Sequence, residues 1–500
     1  MDVLDQISEE TFQIFKAATS GINSSTGILG VDLAPLISLV PVETPWGDEL
    51  ARTGPNQGSD VAQWEALLNI NNQQPNPSVA LDAAGKLAKN QLMKVSAPYL
   101  PLAMGYTITR DAIARARGYS DAKARAVFSA IAQWKIGQDK KAWGAQAYAL
   151  ARPVAPTLTD SVTGGSIAAS TTLYVAVAAR TGSGYFYCDG DGTASGHGNS
   201  QANSQTITTS TVAAATHSVS ASTTSVPGGT CYDWFQSPSG NPGSWLYYTT
   251  TTIPSVTMTS IIVANQTPPT ATMPGLSTTV PTCLTTADNG SAGVNEFNGL
   301  LATCTADYGS AGGAIVQRGT GTASGSILQD AAGGQFTISG GGIVQLDAIN
   351  TAVYNATYLS PDVYMVNSQE ANSLGKLILN SPGAVTYLTM NDGVGRGEIV
   401  AGGRVGSYVN RITGKQIPIK VYPNTVPGTL IARKDTLPFP NAEVGNVYEM
   451  RCLDDMYDYV YGSDRNSGGP RDDGEVRSLS TFINKGAVAQ AVLQSVAPTP

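Results

Sequence analysis

One stretch of this 500-residue chain limits its fold more than any other. Residues 153–285 carry five charged side chains, Asp160, Arg180, Asp189, Asp191 and Asp233, with no Lys or Glu, and 46 of these 133 residues are Ser or Thr. A segment this poor in charge is either a disordered stalk or a small β domain whose outward positions are solvated by hydroxyl groups. Apolar runs of strand length decide for the second. Leu173–Ala179, Gln205–Thr209, His217–Ala221, Cys231–Gln236, Trp245–Thr250 and Ser255–Ser260 are separated by Gly, Pro and Asn turns, and a turn at Thr181–Gly184 closes the first of them. Short strands at a spacing of roughly 8–12 residues predict a two-sheet sandwich of the immunoglobulin or fibronectin kind.

The flanks, 1–152 and 286–500, have ordinary charge content, so the simplest organisation is one domain interrupted by another. Thr109–Leu150 is the longest helical region. Its first part ends near Gly118, and it restarts with Ser120 as N-cap and Asp121 in the first turn. Val127, Ala130, Ile131 and Trp134 follow at i, i+3, i+4 and i+7, which predicts one buried stripe. Eight basic and three acidic residues lie between Arg110 and Leu150, either as a solvated face or as a surface for acidic neighbours or a packaged polyanion. Residues 47–108 read as a two-stranded excursion with arms Gln63–Ile70 and Lys94–Thr107 around the polar stretch Asn71–Ser78. Such a hairpin is unstable alone in water, so it must lie on something, most economically a neighbouring subunit. Residues 1–46 lack a core pattern of their own and read as an extended arm. Downstream, a helix at Gly342–Tyr354, a strand at Asp362–Asn367 and a helix from a Ser368 cap to Leu379 are expected. Strands at Ile417–Tyr422, Gly428–Arg433, Val447–Cys452, Tyr457–Tyr461 and Ala489–Val496 then complete a mixed α/β body.

Several functions have little material. A net charge of −8 is a poor basis for wrapping or reading nucleic acid. The acidic start MDVLDQISEETFQIF is unlike a secretory signal, and no apolar run approaches membrane-spanning length, so no membrane partner is expected. Five cysteines without a C-x-x-C pair and only two histidines, His197 and His217, argue against zinc and Ser-His-Asp chemistry; no metal or cofactor is expected. Cys188 and Cys231 are either a pair inside the sandwich or two reduced thiols, and a reducing compartment favours thiols. Asp189-Gly-Asp191-Gly lacks the later ligands of a calcium loop. Gly393–Gly397 with Gly402-Gly403, and Gly414-Lys415, miss the phosphate-loop patterns. Asn265 opens an N-x-T triplet that means nothing without secretion. Asp454-Asp455 and Asp472-Asp473 read as loop acids, solvated or paired across subunits, rather than as acid–base machinery, and no enzyme is expected.

Four motifs, in order, carry a resemblance: TPWGDELARTG…VAQWEALLNIN, YTITRDAIARARGYSD…AVFSAIAQWKIGQDKKAWGAQ, LSPDVYMVNSQEANSLGKLIL and TGKQIPIKVYPNTVPGTLIAR. Together they are similar to the major capsid proteins of tailed bacteriophages with the Hong Kong 97 type of fold. PVAPTLTD followed by VPGGTCYDWFQ resembles fibronectin-like modules inserted in viral structural proteins. The resemblance implies an α+β capsid fold with an N-terminal arm (1–46), extended loop (47–108), spine helix of the peripheral domain (109–152), and an inserted all-β immunoglobulin-like sandwich (153–285). The axial domain and the remainder of the peripheral domain would occupy 286–500. It further implies a structural subunit that self-assembles as hexamers and pentamers into an icosahedral shell. That shell would enclose double-stranded DNA without sequence-specific binding, in a virion assembled in the host cytoplasm with scaffolding, portal and cement proteins as partners. Lys86, Lys89 and Lys94 fall in the extended loop as inter-subunit contacts, although no Asn or Glu matches the lysine crosslink some members of the family form. The role of the sandwich stays open between decoration, host-surface adhesion and shell stabilisation. The alternative is a surface or tail adhesin whose sandwich stacks carbohydrate on Trp234, Tyr247 and Tyr248. A glycan-degrading enzyme using Asp454 and Asp455 would need inward-facing carboxylates on strand ends, for which the sequence offers no support.

Overall fold

Pro45 has the fixed φ that suits the first turn of a helix, and α1 (Pro45–Glu49) begins there, burying Trp46 before the short strand β1 (Ala51–Thr53). The computed structural model describes residues 43–54, 60–69, 78, 81–84, 91–116, 121–186, 200–212, 216–237, 245–261, 296–305, 315–318, 336–339, 341–379, 405–437, 446–461 and 471–496. β2 (Val61–Asn69) and β3 (Gln91–Pro98) pair as an antiparallel two-stranded ribbon, with Trp64 opposite Val95. The expected arm Lys94–Thr107 is divided. Pro98 cannot donate to a ladder, and β4 (Leu100–Thr109) starts two residues later in a different sheet. α2 (Arg110–Ala116) and α3 (Ala122–Gly144) follow. Asp121, not Ser120, caps α3: its Oδ1 accepts from the amides of Lys123 and Ala124, each at 3.0 Å, and Ser120 lies outside the described residues. Ala130 and Trp134 are buried, Val127 and Ile131 are half-buried, and Trp134 Nε1 donates to the Leu102 carbonyl at 3.3 Å, pinning the helix across β4.

The charge-poor segment forms β5 (Thr157–Ser161), β6 (Thr172–Arg180), α4 (Gly182–Phe186), β7 (Asn203–Thr208), β8 (Ser218–Ser222), β9 (Cys231–Ser237), β10 (Leu246–Thr251) and β11 (Ser255–Met258). The strands make two antiparallel sheets, β10-β9-β6-β7 and β11-β8-β5. Leu173, Val175, Val177 and Trp234 of the first meet Val219, Ala221 and Met258 of the second in one buried cluster. The turn expected at Thr181–Gly184 is the one-turn helix α4. Sheet membership differs from the immunoglobulin arrangement, in which the first, second, fourth and fifth strands share a sheet. Here the first, fourth and seventh do. Alternation sets which face a residue occupies, not which strand it pairs with, so the sequence pattern could not distinguish the two.

Beyond the sandwich come α5 (Leu300–Thr305), β12 (Ile315–Arg318), the short pair β13 (Ile338–Ser339) and β14 (Gly342–Ile343), then α6 (Val344–Thr357), β15 (Val363–Val366) and α7 (Ser368–Leu379). Strands β16 (Ser407–Val409), β17 (Gln416–Val421), β18 (Leu430–Arg433), β19 (Tyr448–Val460), β20 (Arg471–Asn484) and β21 (Ala491–Gln494) complete the fold. Asn367 rather than Ser368 caps α7, its Oδ1 accepting from the Gln369 amide at 3.1 Å. A six-stranded mixed sheet, β12-β21-β18-β15-β17-β16, packs on Leu346, Ile349 and Val353 of α6 and Leu374 of α7. A four-stranded sheet, β1-β19-β20-β4, packs on α3. The strands expected at Val447–Cys452 and Tyr457–Tyr461 belong to the single strand β19, whose pairing shifts register between Cys452 and Tyr457. β20 was not foreseen. Ser478 and Ser480 occupy inward positions along it, which hides the apolar alternation of a half-buried strand.

The sandwich is docked rather than tethered. A Cβ placed on Gly144 would lie 2.8 Å from Gly182 Cα, and Tyr185 and Phe186 of α4 pack on the core around Trp143. Among the described residues no helix is long and apolar enough to cross a membrane.

Candidate assembly surfaces

The two main sheets are fixed to one another by a buried charge. Arg433, at the end of β18, holds its guanidinium carbon 4.9 Å from the Trp46 ring centroid, 5.7 Å from that of Tyr448 and 5.9 Å from that of Tyr422. Its Nη2 donates to Glu49 Oε2 at 2.8 Å, and Nε lies 2.6 Å from Asp435 Oδ1 although out of line for a hydrogen bond. A planar, weakly hydrated guanidinium suits such an aromatic cage better than an ammonium would. Burial opposes the charge, but Tyr422, Asp435 and Glu49 outweigh it and hold the Arg433 pKa above its ordinary value. Burial likewise pushes Glu49 upward, and Lys420, Arg433 and Tyr422 bring it below the usual carboxylate range.

Asp139 of α3 performs a second joining role. Its Oδ1 accepts from the Gly47 amide at 2.5 Å and its Oδ2 from Asn424 Nδ2 at 2.7 Å, while Asn424 also donates to the Glu43 carbonyl at 2.9 Å. Burial raises the Asp139 pKa against these donors. α1, the spine helix α3 and the loop after β17 therefore move as one piece.

Two separate surfaces remain on the four-stranded sheet. One is the β2–β3 ribbon, which projects and among the described residues has no third strand. Its register places Ala62 with Ala97 and Trp64 with Val95 on one face, and Gln63 with Ser96 on the other, the face of Lys94. Lys94 is exposed on this polar face; Lys86 and Lys89 lie outside the described residues. On the other, Tyr457 and Tyr459 of β19 are exposed, and the Tyr459 and Tyr461 rings meet edge-on at 5.1 Å. The register continues this face to Arg477 and Glu475 of β20, which pair at 3.3 Å, and then to Ala103 and Gly105 of β4, so a charged pair separates the aromatic stripe from small residues. Tyr106 donates to Asp458 at 2.8 Å and Thr107 to Asp473 at 2.5 Å, stiffening this surface. Burial, then Asp458, push the Tyr106 phenol up to about 12. Leu100, where the ribbon joins the sheet, lies opposite Ser480, whereas the stripe is level with Ala103 and Gly105, so the root of the ribbon and the stripe are separated by about 10–17 Å along β4.

The acidic pairs lie on strands rather than loops, and Asp472 and Asp473, in regular register, point to opposite faces of the sheet. Asp455 pairs with Arg52 at 2.7 Å, Asp472 with Arg110 at 3.7 Å and Asp473 with Arg471 at 3.2 Å, all within the chain.

The expected carbohydrate platform is corrected. Trp234 is 0% exposed on the central strand β9, and its Nε1 donates to Thr251 Oγ1 at 2.8 Å. Tyr248 joins the same inner cluster, while Tyr247, next to it in sequence, turns to the opposite face and packs edge-on to Phe235 at 6.1 Å. The three rings share no surface.

Among the described residues no group of three His, Cys, Asp or Glu side chains could hold a metal ion. His217 is buried and its Nδ1 meets Asp160 at 2.9 Å. Cys188, Asp189, Asp191, His197, Asn265 and the glycines at 393–403 lie outside the described residues. Sequence reasoning missed Arg433, Trp46 and Asp139. A signal was present for Arg433, a lone cation ending the apolar run GTLIAR.

No protein-family model matches the chain, and no curated protein matches it. Among solved structures the chain is similar to the capsid of a native GTA particle, at 9% identity over 95% of this chain and 100% of that one, with a TM-score of 0.41. It is also similar to the cyanophage A-1(L) capsid, at 10% identity over 94% and 97% of the two chains with a TM-score of 0.41. A third similarity is to the capsid of Myoviridae phage XM1, at 8% identity over 95% and 99% with a TM-score of 0.35. These are capsids, the class of protein that the sequence motifs resemble; the surfaces described above stand independently of them.

Proposed function

We propose that this chain is the structural subunit of a bacteriophage-type capsid shell, acting through repeated contacts between copies rather than through catalysis. The observation that carries this reading is the placement of an apolar ribbon face and a separate, exposed tyrosine stripe on one rigid sheet. A contact between two unlike patches is heterologous, and such contacts close into rings when the rotation allows. Hexamers and pentamers are such rings, and their tiling builds an icosahedral shell. The β2–β3 ribbon, within the extended loop at 47–108, lies over the Tyr457–Tyr459 stripe of the next copy, with Lys86, Lys89 and Lys94 along its course. Each contact buries about 1,000–2,000 Å².

A shell filled with double-stranded DNA by a motor has no need to bind it tightly, which suits a net charge of −8. In this reading residues 1–46 form the arm, 109–152 the spine of the peripheral domain, 153–285 a sandwich that stiffens the subunit, and 286–500 the axial domain with the rest of the peripheral domain. Scaffolding, portal and cement proteins are its partners, and assembly takes place in the host cytoplasm. The test mixes two singly substituted chains, Trp64→Cys and Tyr459→Cys, under oxidising conditions. A disulfide-linked dimer formed only by the mixture is expected; shells that assemble from the mixture without that crosslink overturn the head-to-tail contact.

A further inference from the structure

Glu370, in the first turn of α7, is 1% exposed. Its Oε1 accepts from the Gly428 amide at 2.6 Å, whereas Oε2 is buried without a hydrogen-bond partner. Burial outweighs the amides of Gly428, Glu370 and Asn367 and carries its pKa up to about 7.

Gly428 is the corner at which three parts of the fold meet. Its φ is +82°, its carbonyl accepts from the Val496 amide at 2.9 Å, and a Cβ on it would lie 3.5 Å from the carbonyl oxygen of Thr252 in the β10–β11 turn of the sandwich. Beside it, Ser495 Oγ and Ser225 Oγ are 2.9 Å apart, and Gln494 Nε2 donates to the Gly229 carbonyl at 3.2 Å. These contacts are the seam between the sandwich and the six-stranded sheet.

We propose that Glu370 is a proton-operated latch for this seam, closing it as the neutral acid and loosening it on ionisation. A buried carboxylate with one oxygen lacking donors is costly, and because its other oxygen is held by the Gly428 amide, parting Gly428 from its neighbours would admit water to the charge. Among the described residues no charge compensates it: Tyr232, whose hydroxyl donates to Ser225 Oγ at 3.1 Å on the sandwich side of the seam, is kept neutral by burial, which raises its pKa. Residues 423–428, 494–496, 223–230 and 251–254 contain no ionisable side chain. Tyr422, at the start of the first of these segments, directs its hydroxyl to Glu49 at 2.8 Å. Lys376, on α7 itself, lies six residues further along the helix. The folded pKa is raised, so the closing contribution is complete below the ordinary value near 4.5 and is lost as pH rises through about 7. The latch operates in the single subunit and does not depend on assembly.

Hydrogen exchange on the full chain from pH 5.5 to 8.5 tests this. After correction for intrinsic exchange, protection of residues 425–430 and 494–496, relative to the β19–β20 pair, is expected to fall about tenfold or more between pH 6 and 8.5. Glu370→Gln, which keeps the neutral shape, should hold it level. An equal fall in both proteins, or none in the unaltered chain, overturns the proposal. Should the variant fail to fold, infrared spectroscopy of the unaltered chain decides: a protonated-carboxyl carbonyl band must be present at pH 6 and vanish above 8, and its absence at pH 6 is equally decisive against the latch.

Discussion

Gly144, the last residue of α3, and Gly182, the first of α4, are in backbone contact: a Cβ on Gly182 would stand 2.6 Å from Trp143 Cζ3 and 3.0 Å from Gly144 Cα. The spine helix and the sandwich thus meet with no room for even one methyl group. Gly182→Ala is expected to destabilise by about 1–3 kcal/mol, the usual cost of overpacking a close-packed contact. Gly406→Ala, where nothing lies within 4 Å of the added carbon, should be close to neutral. Urea unfolding of the two variants makes the comparison, and equal midpoints would mean that the joint is not tight.

The Arg433 cage yields a larger effect. Arg433→Met keeps length and apolar contact with Trp46 but leaves Glu49 and Asp435 without their central cation. Both carboxylates are about a third exposed and Glu49 keeps Lys420, so losing the cation–π cage and its charged hydrogen bonds costs about 2–4 kcal/mol. Arg433→Lys should recover only part of this, because an ammonium neither stacks on the rings nor forks between two carboxylates. Denaturant titration of the three chains checks the order Arg, Lys, Met; full recovery by Lys would reduce the cage to a simple charge.

Acid sensitivity has a defined source. Burial pushes Asp362 upward, but Lys415, Lys434 and the Asp435 amide outweigh it and hold its carboxyl at about 2. A depressed carboxylate pKa contributes stability that is present above the ordinary value near 3.8 and lost as pH falls toward 2. Asp362→Asn should lower stability at pH 7 and flatten its decline between about pH 4 and pH 2. Thermal unfolding across that range supplies the measurement, and parallel pH profiles would remove Asp362 as the cause.

What the sequence made legible, and what it concealed, follows from the range of the interactions. β6 was readable because LYVAVAA is a continuous apolar run bounded by turns, a local signal. Trp234 was misjudged although its strand, CYDWFQ, is apolar on both faces, the mark of a central strand covered on each side. β20 was hidden because serines fill inward positions where water is excluded by packing from β19, β4 and α3. The cage joins Trp46, Tyr422, Arg433 and Tyr448, of which Trp46 lies nearly four hundred residues from the rest in sequence. No periodicity spans that distance. The two-stranded ribbon was legible, but the tyrosine stripe was not, since its exposure depends on which residues β20 brings beside it.

The central claim is that the chain builds a shell from copies of itself. Negative-stain electron microscopy of the purified protein, paired with light-scattering mass, tests it most directly. Closed shells, or rings of five and six subunits, are the predicted result. A monodisperse species at the 51.7 kDa mass of one chain, under every salt and concentration condition, would contradict it.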